Sequence, residues 1–284
     1  LFTVSNSLQE ILFLFGSPVA GNPTQFIIEK ALADLGLDWR YLTLEVPAEK
    51  LGDAVRGARA MNFRGGNITM PHKVAVIEFL DDLSQAARLM GAVNCVHNAG
   101  GKLLGENTDG KGFLESLKTA LDPAGKRCVI LGAGGAARAI AVELALAQAG
   151  HLTIVNRTAE RGEALAELLR EKVHAAADFV PWPKEYEIPA DADVVINGTS
   201  IGLFSDEVRV PVKRESFRPG LVAADVVFSP PDTRFLQEVR DAGGTALDGL
   251  GMLVNQAVIG FKIWTGKTPN AALMREALEE YLSM

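Results

Sequence analysis

The stretch VILGAGGAARAIAVELA, residues 129–145, restricts the fold of this chain more than any other. An apolar run ends in glycines and passes at once into an alanine-rich pattern with helical spacing. Strand, glycine turn and helix in that order make the first corner of a βαβ unit. Gly132 permits the sharp turn, Gly134 lets a backbone approach a pyrophosphate, and the small Ala137 lets helix and strand pack closely. The amides of Gly132, Ala133, Gly134, Gly135 and Ala136 would then face an anion at the start of the helix. A tight corner without a ligand would use the same residues, so the following strand has to discriminate.

That strand and its continuation read HLTIVNRTAERGEAL. A site for NAD usually ends this strand with Asp or Glu, which bonds the ribose 2′-hydroxyl. Asn156 stands there instead, followed by Arg157, Thr158 and Arg161. A carboxylate would repel a 2′-phosphate, whereas an amide, a hydroxyl and two guanidiniums bind one, and arginine does so bidentately. NADP is therefore favoured over NAD, the alternative being that both arginines belong to a solvated helix face.

Strand and helix patterns alternate along the rest of the chain. Strands are expected at 11–16, 38–46, 65–69, 92–98 and 102–107, and helices at 24–37, 48–61, 72–80 and 84–90. A second series follows: helix 110–121, strand 127–131, helix 135–149, strand 151–155, helix 159–171, strands 192–198 and 221–227, and helices at 231–243, 252–266 and 270–282. The proline-rich segment 180–192 reads as a surface connection. The first series predicts an α/β unit with a largely parallel sheet, the second series continues the α/β alternation, and the length allows one or two domains.

Composition narrows the function. Apolar residues make up 48% and charged residues 22% of the 284, which fits a globular chain. A net charge of −7 argues against a nucleic-acid partner, which needs a basic surface. No apolar run reaches the roughly 20 residues of a membrane span, and the first segment lacks the basic start of a signal peptide. Two cysteines, Cys95 and Cys128, suggest a reduced, cytoplasmic setting. His72, His97, His151 and His174 show no metal-ligand spacing, so no metal is expected.

Three segments before the glycine turn place polar residues at strand ends, where open α/β sheets bind ligands: GGNITMPHK (65–73), GAVNCV (91–96) and GENTDGKGF (105–113). They offer Asn67, Thr69, Asn94, Asn107 and Thr108 for hydrogen bonds, and Lys73 and Asp109 for charge. A nicotinamide enzyme acting on an alcohol must exchange the hydroxyl proton as hydride leaves carbon. A lysine in a partly dry cleft can do this, and a carboxylate beside it would hold and polarise it. Spacing alone leaves a solvated surface lysine, an N-cap at Asp109 and ordinary turn asparagines equally open.

With these segments the chain resembles the shikimate dehydrogenase family, including its quinate relatives. GSPVAGNPTQF, NITMPHK, GAVNCV, GENTDGKGF, GAGGAARA, NRTAER, INGTSIGL, DVVFSPPDT and GLGMLVNQA fall in the family's order and spacing nearly end to end. The resemblance implies a substrate and catalytic domain at 1–109 plus 250–284, and an NADP-binding Rossmann domain at 110–249. It implies reversible NADPH-dependent reduction of 3-dehydroshikimate, or a close analogue, to shikimate, in aromatic amino acid (chorismate) biosynthesis. Lys73 matches the catalytic lysine and Asp109 its partner. Asn94 and Gln256, and less directly Asn67 and Thr69, match positions that bond the substrate's ring hydroxyls. Asn156, Arg157, Thr158 and Arg161 match the 2′-phosphate clasp, and Thr199, Gly249 and Met252 fall in cofactor-binding segments. The implied partner is a small cyclic hydroxy acid, bound by a monomer or homodimer. A dehydrogenase for quinate or an amino-shikimate, or a ligand sensor without turnover, are the alternatives.

Three positions depart from the family pattern. Asn22-Pro23-Thr24 replaces the usual Ser-x-Ser that holds the substrate carboxylate, Phe228 stands where tyrosine is usual, and Cys95 where threonine is common. Asn22 and Thr24 can still donate hydrogen bonds, but with different reach. A site built around particular donors discriminates strongly once they change, so a relative with a modified carboxylate end is favoured over shikimate itself.

Overall fold

The computed structural model describes residues 8–283. The expectation that the first segment is no signal peptide rests partly on residues 1–7, outside that range. The chain forms two compact units, one ending at Thr108 and resumed from Ala257, the other comprising Asp109–Gln256.

The first unit contains β1 (Glu10–Gly16), α1 (Thr24–Asp34), β2 (Trp39–Glu45), α2 (Leu51–Ala60), β3 (Gly65–Ile68), β4 (Asp82–Leu83), α3 (Gln85–Met90), β5 (Cys95–Ala99) and β6 (Lys102–Glu106). The strand order is β2-β1-β3-β5-β6-β4. β1 lies between β2 and β3 and is parallel to both. Its run ILFLFG is buried almost throughout, as a central strand covered on both faces requires. Phe13, Phe15, Val55, Ile68, Val96 and Leu103 share one core cluster.

In this unit the sheet keeps the expected parallel pairing at β1–β2, β1–β3 and β4–β6 and departs from it at one strand. β5 is antiparallel to both β3 and β6. The cause is the Gly100-Gly101 turn between β5 and β6: both residues have positive φ, +65° and +93°, as a two-residue hairpin turn demands. Residues 72–80 also differ from the expected helix. Only a short 3₁₀ turn forms at Ala75–Phe79, because the apolar spacing lasts barely two turns and gives little helix to propagate.

The second unit contains α4 (Asp109–Leu117), β7 (Arg127–Leu131), α5 (Gly135–Leu146), β8 (His151–Asn156), α6 (Ala159–Lys172), β9 (Ala177–Pro181), β10 (Val194–Asn197), β11 (Val222–Asp225), α7 (Arg234–Asp241) and β12 (Thr245–Leu247). The strand order is β12-β11-β10-β7-β8-β9, with every neighbouring pair parallel. This is the doubly wound Rossmann order, whose winding reverses between β7 and β10. β9 enters the segment expected to be a plain connection. It tolerates Pro181 because it is an edge strand. α8 (Gly249–Thr265) begins in the second unit and ends in the first, and α9 (Ala271–Ser283) packs on α1 within the first. Among the described residues no helix is long and apolar enough to cross a membrane.

Candidate functional site

In the first unit the winding reverses at β1, so the loops after β1 and β3 leave the same end of the sheet at a switch point, where α/β sheets bind ligands. The antiparallel hairpin brings the start of β5 and the end of β6 to that end, because Asn67 pairs with Cys95 and Cys95 with Glu106. Asn22, Thr24, Asn67, Thr69, Lys73 and Asn94 thus collect at one end of one sheet. Within the second unit lie Asp109, Gln256, Phe228 and every expected nucleotide-binding residue.

Hydrogen bonds hold the first group in place. Tyr41, fully buried, donates to Asn67 Oδ1 at 2.7 Å, and Asn67 Nδ2 donates to the Asn94 carbonyl at 3.1 Å. Asn94 Oδ1 accepts from the Thr108 amide at 2.7 Å while its Nδ2 donates to Thr108 Oγ1 at 3.0 Å. The segment bearing Lys73 is pinned on both sides. The buried His72 ring bonds the Val46 carbonyl through Nε2 at 2.6 Å, and the Lys73 carbonyl accepts from Val93 at 2.7 Å. Lys73 itself is half-buried. Burial pushes the Tyr41 hydroxyl well above its ordinary value, so Tyr41 remains a donor at neutral pH.

In the second unit a cleft of about 420 Å³ opens at the carboxyl ends of the sheet. Gly132, Ala133, Gly134, Gly135 and Ala136 after β7, Asn156 after β8, Thr199 after β10 and Phe228 after β11 all line it. Gly132 has φ of +107°, and a Cβ there would stand 2.9 Å from Thr199 Cγ2, so the two loops meet only because the side chain is absent. No side chain caps the start of α5, and a Cβ on Gly134 or Gly135 would meet nothing. The first-turn amides therefore face open space, as a pyrophosphate requires. Asn156 Nδ2 donates to the Thr158 carbonyl at 2.8 Å and so shapes the turn that carries Arg157 and leads into α6, which carries Arg161. Those three residues, Arg157, Thr158 and Arg161, are exposed beyond the cleft walls.

A buried carboxylate ties the cleft loops together. Asp225 Oδ1 accepts from Asn197 Nδ2 and from the Val227 amide, both at 2.9 Å, and Oδ2 accepts from Thr233 Oγ1 at 2.8 Å. Asn197 Oδ1 in turn accepts from Thr199 Oγ1 at 2.7 Å. Burial outweighs these donors and pushes the Asp225 carboxyl up to about 6.

Sequence reasoning did not single out Gly198, Ser200, Leu203, Val226 or Val227, which also line the cleft. Their signal was position: each follows a strand end in INGTSIGL or DVVFSP. Gly249 and Met252 lie at the start of α8 and outside the cleft lining. A Cβ on Gly249 would fall 2.3 Å from the Val227 carbonyl, so α8 starts pressed on a loop that does line it. Gln256 is buried and lies against α4, where a Cβ on Gly112 would stand 2.6 Å from the Gln256 nitrogen. Asp109 is half-buried and opens α4.

Comparison with known proteins gives a consistent result. Residues 14–96 match the shikimate dehydrogenase substrate-binding domain, 115–208 match shikimate/quinate 5-dehydrogenase, and 249–279 match the shikimate 5′-dehydrogenase C-terminal domain. Shikimate dehydrogenase (NADP(+)) of Methanopyrus kandleri is 42% identical over 278 residues, 96% of each chain. The crystal structure of the ligand-free 5-ketofructose reductase of a Gluconobacter strain is 51% identical, with a TM-score of 0.95 over 97% of this chain and 99% of that one. Shikimate 5-dehydrogenase of Thermus thermophilus, solved with NADP(H) and shikimate, is 36% identical, with a TM-score of 0.85 over 96% of this chain and all of the other. By sequence over nearly its whole length and by fold in both units, the chain belongs to the shikimate dehydrogenase family.

Proposed function

We propose that this protein is an NADP-dependent oxidoreductase of the shikimate dehydrogenase type, reducing 3-dehydroshikimate or a close analogue to the corresponding alcohol and reversing the reaction. The observation that carries the reading is the cleft at the β7/β10 switch point, where uncapped α5 amides, the Gly132 turn and Asn156 fit a dinucleotide. Asn156, Arg157, Thr158 and Arg161 at the end of β8 supply neutral and cationic groups for a 2′-phosphate. When bound, NADPH supplies the hydride. Lys73 donates the proton that converts the carbonyl oxygen to a hydroxyl and takes it back in oxidation. Asp109 orients and polarises the Lys73 ammonium. Asn94 and Gln256 bond ring hydroxyls, and the loop carrying Asn22 and Thr24 receives the far end of the substrate. Two cysteines free of disulfide bonding fit a reducing, cytoplasmic setting.

A second reading concerns the analogue. Asn22 and Thr24 in place of two serines, together with 51% identity to a 5-ketofructose reductase, favour a ketone of that kind. Following NADPH absorbance with 3-dehydroshikimate and 5-keto-D-fructose tests both readings. Oxidation of NADPH by either ketone supports the dehydrogenase, and the ratio of rates chooses the substrate. A flat trace with both, while NADPH still binds, would refute it.

A further inference from the structure

The loop between β1 and α1 runs into the helix through the segment Asn22-Pro23-Thr24. Asn22 Oδ1 accepts from the backbone N–H of Thr24 at 3.0 Å. Pro23, which precedes the first residue of α1, has no N–H to offer. One amide at the start of this helix is therefore absent and the next is satisfied from within the loop. A helix start of this kind loses donors that would otherwise favour an anion. Glu45 closes β2 opposite Gly16 in the strand register and accepts from Ser17 Oγ at 3.3 Å, placing a negative charge at the root of the same loop.

The two side chains of this segment offer a ligand the Asn22 amide nitrogen, which only donates, and the buried Thr24 hydroxyl, which donates or accepts. An alcohol needs one donor and one acceptor, and this pair offers both. A carboxylate offers about four acceptor sites and needs donors alone, preferably charged ones. We infer that the Asn22-Pro23-Thr24 loop is a specificity element for an uncharged polyhydroxy ketone and discriminates against ketones bearing a carboxylate. This rests on the proposed hydride transfer with NADPH.

The test compares kcat/KM for 5-keto-D-fructose and 3-dehydroshikimate, with NADPH as the reductant. The wild-type ratio should favour the uncharged ketone by about 100-fold or more, within the roughly 10⁴–10⁵ by which a site with unpaired buried polar groups can reject a ligand. Asn22→Ser combined with Thr24→Ser should move the ratio at least tenfold toward the carboxylate. A measurement on the wild type alone guards against a variant that fails to fold: D-fructose should inhibit more tightly than shikimate. Faster turnover of 3-dehydroshikimate by the wild type, or a ratio unmoved in a folded double variant, would overturn the specificity assignment while leaving the dehydrogenase reading intact. Binding of NADPH with no oxidation by either ketone would overturn both.

Discussion

Asn94 and Thr108 are joined by hydrogen bonds at the end of the first sheet: the Thr108 amide reaches Asn94 Oδ1 at 2.7 Å, Thr108 Oγ1 reaches the same oxygen at 3.2 Å, and Asn94 Nδ2 reaches Thr108 Oγ1 at 3.0 Å. Both residues are buried, and Thr108 immediately precedes Asp109. Asn94→Ala strands the Thr108 amide, a loss of about 1–3 kcal/mol for a buried group left unsatisfied. Asn94→Asp keeps the acceptor and should recover part of that loss. Urea unfolding of the three proteins gives the order wild type, Asp, Ala. Equal midpoints would show that water replaces the amide.

Lys73 and Asp109 carry the proposed proton exchange. Lys73→Met should lower kcat by about 10²–10⁴, the range that general acid–base catalysis contributes, with NADPH affinity unchanged. Asp109→Asn should lower kcat less, since it retains a polar group without the charge. Stopped-flow reduction alongside NADPH fluorescence titration separates the two effects. A Lys73→Met enzyme with wild-type kcat would remove lysine from the reaction.

Arg157 and Arg161 are exposed, so their contribution to a 2′-phosphate is screened by solvent and salt. Replacing both with Ala should raise KM for NADPH by roughly tenfold, leave KM for NADH nearly unchanged, and have less effect in 1 M salt. An equal rise for both nucleotides would place the arginines away from the phosphate.

The Asp225 carboxyl titrates near 6 in the fold, against an ordinary value of 3.8. Between those values the folded protein keeps a proton that the unfolded chain has released, so this group's contribution to stability falls as pH rises through that window and is constant above it. The difference of about two pH units corresponds to about 3 kcal/mol. Asp225→Asn does not titrate. The variant should therefore gain on the wild type by that order between pH 4 and pH 6.5 in urea unfolding. A pH-independent difference would mean that Asp225 titrates alike in both states.

The composition of strand ends and turns carried much of the fold. The glycine turn at 132–135 follows β7 and opens α5 because strand length, glycine placement and helical spacing are all local properties. The hairpin at Gly100-Gly101 was equally local, yet short strands around a glycine pair offered too little alternation to reveal antiparallel pairing. The two- and three-residue edge strands β4 and β12 had no periodicity to detect.

What the sequence determined by itself was the βα corner, the absence of an acidic residue at position 156, the order of the polar segments and the loss of Ser-x-Ser at 22–24. Only the tertiary structure decided that Tyr41 holds Asn67 and that Asp225 is bonded by Asn197 at the end of β10. The physical reason is that these are matters of satisfaction. A buried polar group must find a partner wherever the packed chain brings one, and that partner is fixed by strand order and loop geometry rather than by neighbours in sequence.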